Sequence, residues 1–351
     1  MTTVSPANVP STSVPTLADQ VTRLYDLIGG YHATHLLEIA RQLGLWNQLT
    51  LEPGLTSAAL AKKLGTDAFY TDALCRTAFS FGLLDRQSDG WRMAPHFDQI
   101  LGNPDSSFYL AGTARVHMSV GEDYKDYVRH FRDGTTKPYQ AHGEDFMEDI
   151  ADALKTLPRI FLDYVLPNLP GLAAKLRDGA RILDVGCGAG WAVVQFAERF
   201  PGSRCIGLDI EPYSVDLSRK LIDERGLNPR CEVRLGGVEA LGEEGTYDIA
   251  TSFLVVHEID PGLKASAFAA IAKALKPGGS FLIFDEAYPE TDADLRTMPK
   301  RFAALAQWFE LTWGNRVNTR SELVELCRGA GLRVTEETSF SRFHIIVATK
   351  G

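Results

Sequence analysis

The sequence has little of what marks membrane, secreted or metal-binding proteins. Its 351 residues contain no uninterrupted run of about 18 apolar residues, the length that a membrane-spanning helix needs. None of its five cysteines forms a Cys-x-x-Cys pair for zinc or a cluster for an iron–sulfur centre. The first residues lack the pattern of a secretory signal and predict a disordered tail over 1–16. These absences predict a soluble protein in a reducing cytoplasm, without a membrane partner.

Positive charge is also scarce. The chain has 45 acidic against 36 basic side chains, a formal net charge of −9. Such a chain repels a polyanion unless its basic residues gather on one face, so no nucleic acid partner is expected. Domains usually span about 100–200 residues, and the length therefore predicts two.

The N-terminal third has helical signals followed by a hairpin signal. Apolar residues at helical spacing over 17–49 predict two helices, separated by the glycine pair at 29–30. A helix-turn-helix pattern follows over 56–81, and Ser-Asp-Gly at 88–90 predicts a tight hairpin turn. This succession predicts a winged-helix-like domain over 17–105.

The second helix of that pattern decides between two functions for the domain. A groove-reading helix needs several basic or amide side chains, whereas this helix has Asp67, Asp72 and one arginine, Arg76. We therefore expect dimerisation and covering of the substrate rather than DNA binding. Residues 106–170, which are helical in pattern and rich in aromatic side chains, are predicted to form a linker or lid.

From residue 171 to 351, short β-rich runs alternate with helical segments. This alternation predicts an α/β domain with a doubly wound parallel sheet. The seven candidate strands are RILDVG, RCIGLDI, CEVRLGG, YDIATSFLVV, SFLIFDEA, GLRVTEET and FHIIVATK.

A glycine loop follows the first of these strands. Asp184 precedes the loop at 186–190, and a helix begins at Trp191. In a strand–loop–helix unit, glycines let the backbone approach a ligand and the helix N-terminus attracts a negative group. Asp209 ends the second strand, where a carboxylate can accept hydrogen bonds from ribose hydroxyls. The D-x-G-x-G-x-G spacing differs from the dinucleotide pattern G-x-G-x-x-G, which opposes a dehydrogenase.

Four motifs, ILDVGCGAG, GLDI, YDIATSFLVVHEI and LKPGGSFLIFD, resemble those of the class I S-adenosylmethionine (SAM)-dependent methyltransferases. The likeness covers about residues 175–350. In plan, the whole chain is also similar to bacterial small-molecule methyltransferases with an N-terminal winged-helix domain. The resemblance implies a Rossmann-like fold, SAM as cofactor with S-adenosylhomocysteine (SAH) as product, and a homodimer.

The same resemblance implies a set of cofactor-binding residues. Asp184 and the glycine loop would contact the methionine part of SAM, Asp209 the ribose and Ile210 the adenine. The third strand lacks the acidic residue that often accepts the adenine amino group, so either Glu239 or the backbone would replace it. The full set is Tyr139, Asp184, Gly186, Cys187, Gly188, Gly190, Asp209, Ile210, Gly237, Val238, Phe253 and Leu254.

His257 follows the fourth strand at the edge where open α/β sheets build their sites. A phenol or hydroxyl acceptor needs a general base, and we predict that His257 is this base and that Glu258 orients it. Alternatively, His257 packs beneath the cofactor. Asp285 and Glu286 end the fifth strand and could join His257 around a hard metal, but no metal is expected.

Three aromatic residues after the fifth strand could cap an apolar acceptor or pack between domains: Trp308, Phe309 and Trp313. The predicted function is methyl transfer from SAM to a small organic acceptor. A hydroxyl oxygen is the expected target, with nitrogen and carbon left open. Two alternatives remain, a SAM-sensing transcriptional regulator that binds DNA and a SAM-fold protein that has lost methyl transfer.

Overall fold

The computed structural model describes residues 14–298 and 300–351. The chain divides into two compact units, Met1–Asp98 and Gln99–Gly351. Within the described residues, no helix combines the length and apolar character needed to cross a membrane. The disordered tail predicted over 1–16 falls mostly outside the described residues.

The first unit contains four helices and a hairpin. Ser88, with φ +53°, lies in the turn between the two antiparallel strands, where the sequence predicts a tight turn. The elements are α1 (Leu17–Gln42), α2 (Leu45–Leu51), α3 (Ser57–Leu64), α4 (Ala68–Ser80), β1 (Leu84–Gln87) and β2 (Gly90–Met93).

The predicted break at Gly29-Gly30 is wrong, because α1 runs through both glycines. Glycine weakens a helix by about 1 kcal/mol relative to alanine, yet it keeps its backbone N–H and so does not interrupt the hydrogen-bond ladder. The helix instead ends just before Gly44, whose φ of +74° is incompatible with a continuing helix. At the other end, Thr16 and Asp19 form a reciprocal capping box.

The second unit begins with short helices. The sequence predicts domain limits at residues 105 and 170, and these remain predictions. The second compact unit starts at Gln99. These helices are α5 (Thr113–Gly121), α6 (Tyr127–Asp133), α7 (Glu144–Leu154), α8 (Leu157–Ile160) and α9 (Pro170–Arg177).

A seven-stranded sheet with strand order β5-β4-β3-β6-β7-β9-β8 follows. The strands are β3 (Arg181–Val185), β4 (Arg204–Asp209), β5 (Cys231–Leu235), β6 (Tyr247–Phe253), β7 (Leu275–Glu286), β8 (Leu332–Phe340) and β9 (Phe343–Lys350). The helices are α10 (Trp191–Arg199), α11 (Pro212–Glu224), α12 (Lys264–Ala274), α13 (Asp292–Leu295), α14 (Lys300–Phe309) and α15 (Arg320–Gly329).

One strand corrects the prediction of a parallel sheet. β9 is antiparallel to both β7 and β8. Only Ser341 and Arg342 separate β8 from β9, which leaves no room for the crossover that a parallel pair requires. As a result, β9 begins at the same edge of the sheet at which β7 ends, and Arg342 lies at that edge.

Both faces of the sheet are buried. Ile182, Ile249 and Leu282 pack in a core with α9, α10 and α11. Their neighbours in sequence point the other way, into a core with α12 and α15. Sheets of this kind place their sites at the carboxyl ends of the parallel strands, which is where the predicted site residues lie.

Candidate active site

Three glycines of the loop after β3 have positive φ, and they serve different purposes. A Cβ on Gly186 would lie 2.5 Å from the Val255 side chain, and one on Gly190 would lie 2.1 Å from Ser218 Oγ. Because they lack a Cβ, these two glycines allow the segment after β6 and helix α11 to pack closely against the loop. A Cβ on Gly188 would meet no atom within 4 Å, so the backbone there borders open space.

Asp209 ties this loop to the next helix. Its Oδ2 accepts a hydrogen bond from the Gly188 N–H at 2.7 Å, and its Oδ1 accepts one from the Glu211 N–H at 2.9 Å. Burial raises the pKa of Asp209, although these two backbone bonds oppose the rise. The carboxylate is thus fixed at the end of β4.

Four predicted residues lie around the ends of β4 and β5 and in the turn after β5. Ile210 is exposed, and its side chain lies 3.7 Å from the position of a Cβ on Gly237. Glu239 lies against the same glycine. Val238, in contrast, is buried in the core, so that its backbone alone can face a ligand. Ile210, Gly237 and Glu239 together form an open shelf next to Asp209.

A cavity begins at the glycine loop. Asp184, Gly186, Cys187 and Gly188 line one side of it. The predicted residues Tyr139 and Phe253 line it too, whereas Leu254 is absent from the lining and has a φ of +57°. Helices α7 and α8 supply an apolar wall, which consists of Met147, Ile150, Leu154 and Leu157. The sequence analysis missed this wall because apolar residues at helical spacing look the same whether they face a core or a cavity.

Asp184 is the buried acid of this cavity. Thr251 Oγ1 donates a hydrogen bond to its Oδ1 at 2.6 Å. Burial raises the pKa of Asp184 to about 7, although the bond from Thr251 lowers it. The side chain is therefore partly protonated near neutral pH.

His257 lies between two carboxylates. Its Nδ1 is 2.5 Å from Asp285 Oδ1, and its Nε2 is 3.3 Å from Glu310 Oε2. Burial lowers the pKa of His257, but Asp285 and Glu310 raise it by more, and the result is a pKa well above the usual range. The parallel pairing of β6 with β7 explains the first contact, because Asp285 ends the strand beside the one that precedes His257.

Glu258 does not contact His257 in the way predicted, since the hydrogen-bond partner at Nδ1 is Asp285. The Glu258 side chain is exposed. The surrounding protein raises its pKa, an effect that His257 opposes and that Glu310 and Asp209 strengthen.

Glu310 was not predicted, because no spacing in the sequence connects it with His257. It follows α14, and Asn315 Nδ2 donates to its Oε2 at 3.1 Å. Asp285, considered above as a metal ligand, is instead occupied by His257. Within residues 14–298 and 300–351, no group of three His, Cys, Asp or Glu side chains could hold a metal ion.

Glu286 forms a separate ion pair. Its Oε1 accepts a hydrogen bond from Arg342 Nε at 2.7 Å, while its buried Oε2 has no partner among the described residues. Burial raises the pKa of Glu286 to about 7. The Arg342 guanidinium lies over the rings of Phe302 and Phe343, at 4.8 and 4.5 Å from their centroids.

The three aromatic residues considered as acceptor caps differ in surroundings. Trp313 is buried and donates through Nε1 to Asp123 Oδ2 at 2.9 Å. Trp308 is half-exposed and packs on tyrosines of the helical region. Phe309 lies 5.5 Å from the ring of His117. Trp313 thus has a packing and hydrogen-bonding role.

Comparison with known proteins identifies the family. Residues 182–279 match the family described as "Methyltransferase domain", and residues 25–97 match the "O-methyltransferase dimerisation domain". The chain therefore carries a methyltransferase domain together with an O-methyltransferase dimerisation domain. The predicted family, fold class and cofactor are confirmed.

Among curated relatives, indolepyruvate C-methyltransferase from Streptomyces griseus is 26% identical over 231 residues, 64% of this chain and 62% of that protein. Nocamycin O-methyltransferase from Saccharothrix syringae is 34% identical over 143 residues, 40% of this chain and 44% of that protein. The matches thus span less than two thirds of either relative.

Solved structures share the fold over nearly the whole chain. Human N-acetylserotonin methyltransferase, solved with SAM, has a TM-score of 0.76 at 19% identity and covers 96% of this chain and 100% of its own. An O-methyltransferase family protein from Burkholderia thailandensis has a TM-score of 0.73 at 20% identity, covering 97% and 99%. At these identities the likeness shows the fold alone.

The residues present fit SAM. The cavity combines polar backbone at the glycine loop, the acid Asp184 and an apolar wall. The shelf of Ile210, Gly237 and Glu239 next to Asp209 offers a flat apolar face and two carboxylates, as an adenosine with ribose hydroxyls and an amino group requires.

Proposed function

We propose that this protein transfers the methyl group of SAM to a hydroxyl oxygen of a small organic acceptor, with His257 as the general base. The observation that carries the proposal is the buried Asp285–His257–Glu310 arrangement. It lies near the cofactor cavity, because Phe253, which lines the cavity, ends the strand that precedes His257.

The two carboxylates give the nitrogens of His257 different tasks. Asp285 accepts from Nδ1 and so fixes the tautomer that leaves Nε2 to receive a proton. Glu310 lies beside Nε2, where it stabilises the imidazolium once the proton has arrived. The two acids hold the pKa of His257 well above its usual range, so that its neutral form is a strong base but only a small fraction of the histidine near neutral pH. A positioned base contributes about 10²–10⁴-fold to the rate.

When bound, SAM supplies an electrophilic methyl carbon. The acceptor oxygen forms a bond to this carbon as the carbon–sulfur bond breaks, and the hydroxyl proton goes to His257 Nε2. In this proposal Asp184 and the Gly186–Gly188 backbone hold the methionine part, Asp209 the ribose, and Ile210 with Gly237 the adenine. Alignment of the reacting atoms supplies much of the remaining acceleration.

The choice of oxygen over carbon or nitrogen needs its own test, because one named relative methylates carbon and another oxygen. The protein should be incubated with SAM bearing a CD₃ group and a panel of phenols, hydroxylated heterocycles and aromatic 2-oxo acids. SAH formation identifies acceptors, and NMR of the product locates the CD₃ group. An O–CD₃ product that disappears in His257→Ala is expected. A C–CD₃ product would overturn oxygen as the target, and SAM binding without SAH formation from any acceptor would favour a protein that has lost methyl transfer.

We also propose a homodimer formed through α1. The O-methyltransferase dimerisation domain supports this proposal, and so does the exposed apolar face of the helix: Leu17, Val21, Leu24, Leu27, Ile28 and Tyr31. Sedimentation of wild type and Leu24→Glu tests it. A dimer that Leu24→Glu converts to a monomer is expected, and a monomeric wild type would overturn it.

The DNA-binding alternative has little support in α4. Its one arginine, Arg76, pairs with Asp72 at 2.6 Å, and Asp67 caps the helix. We propose that nucleic acid is not a partner, and salt-sensitive binding of duplex DNA would contradict this. We also propose a cytoplasmic location, in keeping with five free and buried cysteines.

A further inference from the structure

Asp123 is a buried carboxylate with three donors around it. Lys137 Nζ donates to its Oδ1 at 2.8 Å, while His142 Nε2 and Trp313 Nε1 donate to its Oδ2 at 2.8 and 2.9 Å. It contacts none of the residues that line the cofactor cavity directly. Such a fully satisfied buried acid fixes the relative position of the groups that donate to it.

Two of these donors hold the segment that contains Tyr139. His142 Nδ1 is 2.9 Å from the Tyr139 carbonyl oxygen, and the His142 ring stacks on Phe146 with 4.2 Å between centroids. The Lys137 N–H donates to the Thr312 carbonyl at 2.7 Å. The segment 137–142 is therefore fastened at both ends, with the cavity-lining Tyr139 between them.

The third donor, Trp313, is connected with the proposed catalytic residues. Trp313 is three residues after Glu310, and its N–H donates to the Glu310 carbonyl at 3.0 Å. Glu310 in turn lies beside His257 Nε2. One carboxylate thus connects the wall of the cofactor cavity with the segment that places an acid beside the base.

We propose that Asp123 is a positioning residue that couples the seating of Tyr139 against the bound cofactor to the placement of Glu310 at His257. The inference rests on the proposed function because it takes His257 as the general base. Its test measures cofactor binding and does not need an acceptor. Binding of cofactor would set Tyr139, and the hydrogen bonds of Asp123 would transmit that placement to Trp313 and Glu310.

The test measures SAH binding by calorimetry in the full-length protein. Asp123→Asn replaces one of the two accepting oxygens by an NH₂ group, which cannot accept from the surrounding donors, and should weaken SAH binding about tenfold or more. Asp126→Asn, an exposed position in the same short helical segment, is the matched control and should bind like wild type. If Asp123→Asn does not fold, His142→Phe and Trp313→Phe keep a ring and remove one donor each, and should each weaken SAH binding about threefold.

Coupling itself is tested by combining the two milder variants. In a coupled network, Trp313→Phe should weaken SAH binding in wild type and have little further effect when His142→Phe is already present. Independent effects of the two substitutions on SAH binding would overturn the proposal.

The outcomes separate this inference from the proposed function. A wild type that does not bind SAH would overturn the assigned cofactor cavity. A wild type that binds SAH, together with Asp123→Asn that binds within twofold of it, would overturn only the role of Asp123. The third outcome is normal SAH binding and normal coupling without methyl transfer to any acceptor. It would keep the role of Asp123 in placing Tyr139 but overturn its connection with catalysis at His257.

Discussion

The two ends of the site are built from different kinds of chemical group. At the β3–β4 end, the cradle combines glycine backbone with the acids Asp184 and Asp209, all within residues 184–211, and more distant segments add an outer wall. At the β6–β7 end, Asp285 and Glu310 flank His257, and Glu286 pairs with Arg342. A site made of local backbone is stable to small shifts of distant segments, whereas a site made of converging charges depends on every segment that contributes one.

The largest effect is expected at the charged end. His257→Ala should lower the rate of methyl transfer by about 10²–10⁴-fold, because the hydroxyl proton loses its acceptor. The affinity for SAH should stay unchanged, since His257 does not line the cavity. Single-turnover rates and calorimetry measure the two quantities. His96→Asn, at an exposed histidine with φ +68°, is the control. Equal losses of rate and SAH affinity would abolish the distinction between the two ends.

The second prediction concerns the pH dependence of stability at the backbone-built end. The folded pKa of Asp184, about 7, lies above the ordinary value of 3.8, so the stability linked to its proton is present below pH about 4 and is lost as the pH rises to about 7. Relative to Asp184→Asn, the wild type should lose up to about 4 kcal/mol of unfolding free energy across that window. Urea unfolding at several pH values checks this, and parallel curves for the two proteins would contradict it.

A smaller effect is expected for Asp209→Asn. The amide keeps one accepting oxygen but loses the charge that binds two backbone N–H groups and the ribose hydroxyls, so SAH affinity should fall about 10–100-fold. The rate at saturating SAM should change little, because the base is intact. Calorimetry and initial rates measure both. A large fall in the saturated rate with normal affinity would show that the backbone end also controls chemistry.

The smallest shift is expected for Glu310→Gln. Removing this carboxylate lowers the pKa of His257, since Glu310 is one of the two acids that raise it. A base must be neutral to accept a proton, so the acidic limb of the pH–rate profile should move to lower pH by about one unit. Asp285 should hold the tautomer in both proteins. A limb that stays in place, or moves to higher pH, would exclude His257 as the group that titrates.

The sequence signal at the cofactor end is local. A strand, a loop of positive-φ glycines and an acid at the next strand end are neighbours in sequence, and the structure places Gly188 and Asp209 in direct contact. Local reasoning failed where context outweighs propensity, as at Gly29-Gly30, which α1 passes through.

By itself, the sequence determined the class of fold, the order of strands and helices and the position of the cradle, because periodicity and glycine spacing act over a few residues. Only the tertiary structure decided which acids flank His257, that β9 runs antiparallel, and that Asp123 joins His142 to Trp313. Those contacts connect segments far apart in the chain. No spacing rule applies to them, since burial and packing choose the partners once the sheet and its helices have formed.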